Sequence, residues 1–314
     1  MNHFMDKQAK LDKIHHLKKE KNAIILAHFY QDDDIQDVAD FIGDSLALSQ
    51  KAQQVTEDVI LFAGVNFMAE TAKILNPSKR VIVPDLAAGC SLADSAEPSA
   101  FAQWKANYPD SVVVTYINTT AEIKALSDII CTSSNAVKIV NSIPKHIQVL
   151  FAPDRFLGSY VKQQTERDNM ILWNGSCQVH ETFSEEKVIE LTEEHPDAIV
   201  LAHPECPPNI LKYANVIGST TMIINEAVNS NHNKFIILTE PGVIHEMKKR
   251  NPNKTYLEVP NIDGCSCNHC PYMRLNTLDK IISALENLSP VVELDEELRI
   301  KALQPILRML EISK

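Results

Sequence analysis

Three similar stretches of sequence decide the fold of this chain: NAIILAHFY at 22–30, VVVTYINTT at 112–120 and AIVLAHPEC at 198–206. Each is a short aliphatic run without polar alternation, and each passes into polar side chains at its end. Such runs are typical of strands that are buried on both faces of a parallel sheet covered by helices. Aligning the three stretches pairs His28 with Tyr116 and His203.

Further aliphatic runs alternate with stretches of helical periodicity along the whole chain. Helices are predicted over 7–21, 34–53 and 66–75, among others. This alternation predicts an α/β fold built on parallel sheets. The predicted strands occupy 23–27, 59–63, 80–83, 112–117, 128–131, 147–152, 170–173, 198–202, 214–217, 235–238 and 255–259.

The three stretches mark an internal repeat. Counting 17 residues on from the paired positions reaches a hydroxyl residue each time (45 − 28, 133 − 116 and 220 − 203). These residues are Ser45, Ser133 and Thr220. Counting 62, 61 and 62 residues on reaches a cysteine each time (90 − 28, 177 − 116 and 265 − 203). These residues are Cys90, Cys177 and Cys265, with Cys267 and Cys270 close behind.

The period of this repeat is the size of a small domain. It measures 88 and 87 residues (116 − 28 and 203 − 116), longer than a solenoid unit. The sequence therefore predicts three homologous α/β domains. We place them at 1–94, 95–180 and 181–271, with the C-terminal helices of 272–314 packed on the first.

The composition excludes several classes of protein. The net charge of 30 − 41 = −11 argues against a general nucleic-acid binder, which needs a basic face. No apolar run approaches the ~20 residues that span a bilayer, and 1–21 lacks the apolar core of a signal peptide. We therefore expect a cytoplasmic protein with no membrane partner. Its seven cysteines are then expected to serve a metal site or catalysis, not a disulfide framework.

The repeated polar positions predict a ligand site, because ligands of open α/β sheets bind beyond the carboxyl ends of the strands. Ser45, Ser133 and Thr220 each fall at a predicted helix start, where unpaired N–H groups attract carboxylate or phosphate. Each could instead be only an N-cap. Their shared offset from the polar strand ends favours a composite anion site.

The cysteines divide by their surroundings. Cys131 and Cys206 are expected to be small core hydrophobes. Cys90 and Cys177 lie in loops of small residues, and the segment DGCSCNHCP at 263–271 carries three more cysteines. That segment could be a zinc knuckle or hold a redox Cys-x-x-Cys pair. Thiolates delivered by three loops suit an iron–sulfur cluster better, and three ligands would leave one of four irons open as a Lewis acid.

Other polar residues keep alternative roles. His28, His180 and His203 could be metal ligands, acid/base groups or structural residues, and two of them gain weight from equivalent positions in the repeat. The acidic run 32–34 could bind magnesium. Acids that complement the dipole at a helix start are the preferred interpretation.

Long segments of the chain resemble the quinolinate synthase (quinolinate synthetase A) family of de novo NAD biosynthesis. Between residues 27 and 278 they include AHFYQDDDIQDVADFIGDSLALS, FAGVNFMAETAKIL, VPDLAAGCSLADS, VVTYINTTAEIKALSD, CTSSNAVKI, ILWNGSCQVHE, HPECPPNI, IGSTTMI, LTEPGVIHEMKKRNP and CSCNHCPYMRLNTL. The resemblance implies three α/β domains with pseudo-threefold symmetry around a central active site and a [4Fe–4S] cluster. It implies a transferase that condenses iminoaspartate with dihydroxyacetone phosphate, forming quinolinate, phosphate and water.

The resemblance also assigns residues by motif. It places the three cluster ligands on Cys90, Cys177 and Cys270. Cys265 and Cys267 are then extra thiols or a redox-sensitive pair. It places substrate binding on His28, Tyr30, Ser45, Tyr116, Asn118, Ser133, His203, Glu205 and Thr220. A transient contact with an L-aspartate-oxidising enzyme, the source of the unstable imine, is a further expectation.

The implied reaction moves protons at each step, so acid and base groups must line the pocket. Our hypothesis makes Glu205 the main general acid/base. Tyr30 and Tyr116 would polarise carbonyl and hydroxyl oxygens, and His28 and His203 would orient or protonate them. The groups that would hold carboxylates and phosphate are Ser45, Asn118, Ser133 and Thr220. Two alternatives stay open: another iron–sulfur hydro-lyase, and a non-enzymatic zinc or redox sensor built on CSCNHC.

Overall fold

The structure is a computed structural model that describes residues 5–261 and 268–314. It confirms the predicted α/β fold, since the described strands form three four-stranded sheets in which every pairing is parallel. The described residues group into two compact units. One holds residues up to Cys90 with Pro271–Ile300, and the other holds Ser91–Cys270 with Lys301–Lys314. The division into three domains, with the boundaries given above, stays a prediction.

The first unit contains one sheet. Its two central strands are buried along their whole length and apolar except at His28, as the runs without polar alternation predict. The order across the sheet is β2-β1-β3-β4. Its elements are α1 (Lys7–Glu20), β1 (Ala23–His28), α2 (Asp33–Val38), β2 (Phe41–Gly43), α3 (Ser45–Ala52), β3 (Val59–Ala63), α4 (Asn66–Leu75) and β4 (Arg80–Ile82).

The second unit contains two sheets, ordered β6-β5-β7-β8 and β10-β9-β11-β12. The first of them comprises α5 (Ser91–Asp94), α6 (Pro98–Ala106), β5 (Val112–Tyr116), α7 (Ala121–Leu126), β6 (Ile129–Cys131), α8 (Ala136–Ser142), β7 (Val149–Ala152), α9 (Arg155–Gln164) and β8 (Met170–Leu172). The next comprises α10 (Gln178–Glu181), α11 (Glu185–Glu194), β9 (Ile199–Ala202), α12 (Pro208–Leu211), β10 (Val216–Ile217), α13 (Thr220–Asn229), β11 (Lys234–Leu238), α14 (Val243–Arg250) and β12 (Thr255–Glu258).

The C-terminal segment adds a 3-10 turn at Met273–Leu275 and the helices α15 (Leu278–Asn287) and α16 (Glu296–Ile312). Ile281 and Leu285 of α15 are fully buried in one apolar cluster with Ile25 and Leu61 of the first sheet. Residues from Lys301 onward group with the second unit instead. Within the described ranges, no helix has both the length and the apolar character needed to cross a bilayer.

One sequence prediction is wrong, because the stretch 34–53 is not a continuous helix. Helix α2 ends at Val38, and strand β2 separates it from α3. The cause is Asp40, whose backbone and side chain together form with Ile25 the two hydrogen bonds that a paired strand would form. Its N–H donates to the Ile25 carbonyl (2.9 Å), and its Oδ2 accepts from the Ile25 N–H (2.8 Å).

The same pair of hydrogen bonds starts the edge strand of each sheet. Asp128 joins Val113 at 3.0 and 2.8 Å, and Asn215 joins Val200 at 2.9 and 2.8 Å. We call this pair of hydrogen bonds the clamp. Its side chains belong to Asp40, Asp128 and Asn215, which stand 12 positions after the paired strand ends (40 − 28, 128 − 116 and 215 − 203). Together with the identical strand order, this contact supports the internal repeat found in the sequence.

The clamp predicts a graded effect of substitution at Asp128. Asp128→Ala removes the acceptor of the buried Val113 N–H, so the free energy of unfolding is expected to fall by about 1–3 kcal/mol. Asp128→Asn keeps an oxygen in place, as Asn215 does in the third sheet, and is expected to stay close to the parent protein. Chemical denaturation measures both variants, and equal losses in the two would contradict the clamp.

Candidate active site

The candidate residues stand at the carboxyl ends of parallel strands, as the sequence predicts. Tyr116 is the last residue of β5, and His203 and Glu205 directly follow β9. His28 is the last residue of β1, with Tyr30 two positions on. Because all strands of a parallel sheet end at the same edge, the polar groups of each sheet collect at one edge.

His28 and His203 are held in the same way, which matches their equivalent positions in the repeat. The Tyr30 N–H donates to His28 Nδ1 (3.2 Å), and the Glu205 N–H donates to His203 Nδ1 (3.4 Å). Both side chains are buried. When Nδ1 accepts the backbone N–H, Nε2 is the ring nitrogen left to donate a hydrogen bond.

Glu205 is the centre of a buried polar cluster in the second unit. The Tyr116 hydroxyl donates to Glu205 Oε1 at 2.5 Å, and His180 Nδ1 lies 3.0 Å from Oε2. His203 Nδ1 is 3.7 Å from Oε1, and its ring stacks on His180 with centroids 4.7 Å apart. All four side chains are at most 5% exposed. The structure thus joins the predicted Tyr116, His203 and Glu205 into one constellation.

The surroundings of this cluster shift the pKa values of two buried carboxyl groups, Glu205 and Asp154. Burial opposes charge on Glu205, but His180, His203 and the Tyr116 hydroxyl outweigh it and lower its pKa to about 2. Asp154, which follows β7, is fully buried, and this burial together with the charge of Glu205 raises its pKa well above the usual range. The pKa values of the two carboxyl groups are therefore shifted in opposite directions.

The sequence left the role of His180 open between metal ligand, acid/base group and structural residue, and it did not point to Asp154. His180 is fixed from two sides, since its Nε2 also lies 3.0 Å from the Thr239 hydroxyl. The available signals were weak. His180 stands three residues after Cys177, and Asp154 stands 38 residues after Tyr116 (154 − 116), but neither spacing is diagnostic without coordinates.

The predicted anion-binding hydroxyls lie next to helix starts. Ser45 and Thr220 are the first residues of α3 and α13, and Ser133 lies in the turn before α8. The capping positions belong to Asp44, Asn135 and Ser219, so the interpretation of these hydroxyls as N-caps is wrong. Asn118 Oδ1 is buried and has no hydrogen-bond partner among the described residues, which suits an acceptor for a ligand N–H or O–H.

The described cysteines fall into two classes of exposure and form no disulfide with one another. Cys131 and Cys206 are fully buried, and burial raises the pKa of both thiols, so they behave as small core residues. Partial exposure is shared by Cys90, Cys177 and Cys270. The predicted extra thiols, Cys265 and Cys267, lie outside the described residues.

Donor atoms suitable for a metal meet at Cys177. Its Sγ, a ring nitrogen of His180 and a carboxylate oxygen of Glu205 all lie within 4.8 Å of one another. Cys177 caps α10 and His180 lies on its last turn, so the short helix brings both donors to Glu205. A partly exposed thiol beside nitrogen and oxygen donors fits a metal centre better than it fits a structural cysteine.

The acidic run 32–34 lies at a helix start, which is the interpretation preferred from the sequence. Asp32 occupies the N-cap position of α2, and Asp33 and Asp34 lie in its first turn, where carboxylates complement the helix dipole. Asp32 also pairs with Arg274 at 2.5 Å, and Asp34 pairs with Lys7. These acids are therefore accounted for by the helix start and by ion pairs.

The fold and the site define an α/β protein in which a buried cluster of Tyr116, His180, His203 and Glu205 adjoins a partly exposed cysteine whose surroundings suit a metal. The family model for the quinolinate synthetase A protein matches residues 12–311, so the chain belongs to that family. A protein of Rippkaea orientalis named quinolinate synthase is 61% identical over 300 residues, covering 96% of this chain and 92% of its own. Proteins of the same name from Microcystis aeruginosa and a Nostoc species are 60% and 58% identical, with 96% of this chain covered by each.

The low pKa of Glu205 predicts the sign of a pH dependence. An unfolded glutamate titrates near ~4.3, so an ionised native Glu205 stabilises the folded state above that pH and loses this contribution as pH falls toward 2. The parent protein should therefore gain stability relative to Glu205→Gln as pH rises from about 2 to ~5 and then stay level. Chemical denaturation of both proteins across this pH range measures the difference.

Asp154→Asn provides the opposite control. Because the pKa of Asp154 is raised, the parent protein should lose stability relative to this variant as pH rises above ~4. A parent protein that loses stability relative to Glu205→Gln between pH 5 and 7 would mean that Glu205, not Asp154, carries the proton.

Proposed function

We propose that this chain is a quinolinate synthase that condenses iminoaspartate with dihydroxyacetone phosphate to form quinolinate, phosphate and water. Membership of the family and relatives of about 60% identity with that name support the activity. The observation that carries the proposal is the buried contact of the Glu205 carboxylate with Tyr116 and His180, next to Cys177. A redox or zinc sensor has no need for such an acid/base cluster.

Glu205 would begin the reaction as a base, because it is ionised in the resting site. A proton taken from a substrate carbon or nitrogen would convert it into the acid for a later step. Tyr116 shares its hydroxyl hydrogen with this carboxylate, so it can polarise a substrate oxygen and pass a proton between that oxygen and Glu205. His180 holds the second carboxylate oxygen and keeps it oriented.

The remaining site residues would bind and orient the substrates. His28 and His203 present Nε2 donors to carbonyl or hydroxyl oxygens, and Tyr30 would polarise an oxygen beside His28, whose ring it meets edge-on at 4.4 Å. Both substrates are anions, and helix starts favour anions. The hydroxyls that would hold carboxylates and phosphate are Ser45, Ser133 and Thr220, with Asn118 accepting a substrate N–H or O–H.

We propose that Cys90, Cys177 and Cys270 hold a [4Fe–4S] cluster. Their partial exposure and the nitrogen and oxygen donors beside Cys177 fit such a group. When bound, the cluster supplies one iron without a protein ligand, which acts as a Lewis acid toward substrate oxygen or nitrogen. A transferase acting on small molecules in the cytoplasm, in transient contact with an L-aspartate-oxidising enzyme, completes the proposal.

An anaerobic assay with dihydroxyacetone phosphate and enzymatically generated iminoaspartate tests the activity. The protein is expected to release quinolinate and phosphate in equal amounts. Glu205→Gln should lower turnover by about 100-fold or more, because it removes the proposed acid/base group. Glu185→Gln is the matched control, since Glu185 is occupied by Lys212, Asn209 and Tyr213. Near-normal turnover in Glu205→Gln with an intact cluster would refute the assigned role.

Colour tests the cluster and its ligands. Anaerobically purified protein should be brown with a broad visible band, whereas a zinc site would be colourless. Cys90→Ala, Cys177→Ala and Cys270→Ala should each lose the band, and Cys265→Ala and Cys267→Ala should keep it. Loss of colour in Cys265→Ala but not in Cys270→Ala would move the third ligand. Dehydration of a hydroxy-acid without any need for dihydroxyacetone phosphate would instead favour a hydro-lyase.

A further inference from the structure

Glu240 is a fully buried carboxylate that the proposed reaction does not use. It follows β11 and is 0% exposed. Its Oε2 accepts the Gly242 N–H at 2.6 Å, and its Oε1 accepts the N–H of Cys270 at 3.2 Å. His269 Nδ1 lies 3.4 Å from the same Oε1. A strand end of the third sheet is therefore tied directly to the backbone of a proposed cluster ligand.

These contacts hold the backbone of Cys270 beside the end of β11. A buried carboxyl group must keep its hydrogen bonds, because an unpaired polar group is costly in the interior. The bond to Cys270 therefore restrains this backbone amide, and the thiol stands on the same residue. The preceding residue, Thr239, contacts His180 on the helix capped by Cys177. One dipeptide thus supports two of the proposed ligand loops.

In the other two repeats, the residue at the position of Glu240 also contacts the backbone of the segment that precedes a cysteine. Asn66, Asp154 and Glu240 follow the paired strand ends by 38, 38 and 37 residues (66 − 28, 154 − 116 and 240 − 203). The Asn66 backbone N–H and side-chain amide donate to the carbonyls of residues 88 and 86 at 2.8 and 2.7 Å, just before Cys90. Asp154 forms a parallel bridge with Gly175, just before Cys177.

We propose that Glu240 is a positioning residue that holds Cys270 in place as the third thiolate ligand, so that neither neighbouring cysteine takes that role. This inference rests on the proposed function, since it concerns the proposed cluster. It adds that the ligand is selected by a buried carboxylate bound to its backbone. The chain's own contacts carry it: one carboxylate oxygen on Cys270 and the other on the turn at Gly242.

The experiment compares cluster retention in Glu240→Ala, Glu240→Gln and the parent protein after anaerobic reconstitution. Iron and sulfide per chain, the rate of iron loss to a chelator and the EPR signal of the reduced cluster are measured. Glu240→Ala should lose iron about 10-fold faster or more, as is usual when a supporting group behind a metal ligand is removed. Glu240→Gln keeps an oxygen for the Cys270 N–H and should recover most of the lifetime. Glu246→Ala, which breaks an ion pair with Arg250 on α14, is the matched control.

Asp128→Ala, which likewise removes the acceptor of a buried N–H, separates positioning from general destabilisation. It is expected to lower the free energy of unfolding but to lose iron at the parent rate, because Asp128 touches no proposed ligand segment among the described residues. Iron loss in Asp128→Ala as fast as in Glu240→Ala, or parent-like iron loss and EPR in Glu240→Ala, would overturn the inference and leave the proposed function standing. A parent protein that holds no cluster at all would instead overturn the proposed function.

Discussion

The rest of the site depends on keeping one carboxylate charged in the interior of the second unit. Glu205 is 2% exposed, so its charge is stable only while other groups surround it. Tyr116 donates to one oxygen and His180 approaches the other, and these partners come from the ends of different segments. The pKa of the nearby Asp154 is raised, because its own burial and the charge of Glu205 both oppose a second buried negative charge.

This constraint links the fold to the chemistry. Strands β5 and β9 belong to different sheets, and their ends must keep their relative position for the phenol of Tyr116 to reach Glu205 at 2.5 Å. Central strands that are buried beyond their first residue provide that rigidity, and the side-chain clamps at Asp128 and Asn215 fix the edge strands beside them. A preorganised group of this kind does not need to reorganise when charge develops on a substrate, which is the usual source of electrostatic catalysis.

Much of this could be read from the sequence, and the remainder has physical reasons. The aliphatic runs gave the central strands, because a strand buried on both faces needs continuous apolar residues. Strand β2 was missed, since a three-residue edge strand started by Asp40 has no periodicity of its own. The repeat offsets found His28, Tyr116 and His203, but nothing in the sequence showed that His180 stacks on His203. That contact joins residues 23 positions apart (203 − 180) and depends on tertiary packing.

The position that follows the third strand of each sheet shows what duplication allows. It carries an amide in Asn66, a short acid in Asp154 and a longer acid in Glu240, while the strand order is the same in the three sheets. Each copy of the unit can therefore change one side chain without altering the scaffold that the copies share. An asymmetric reaction, with different substrates and different proton donors, can in this way be assembled from three versions of one simple architecture.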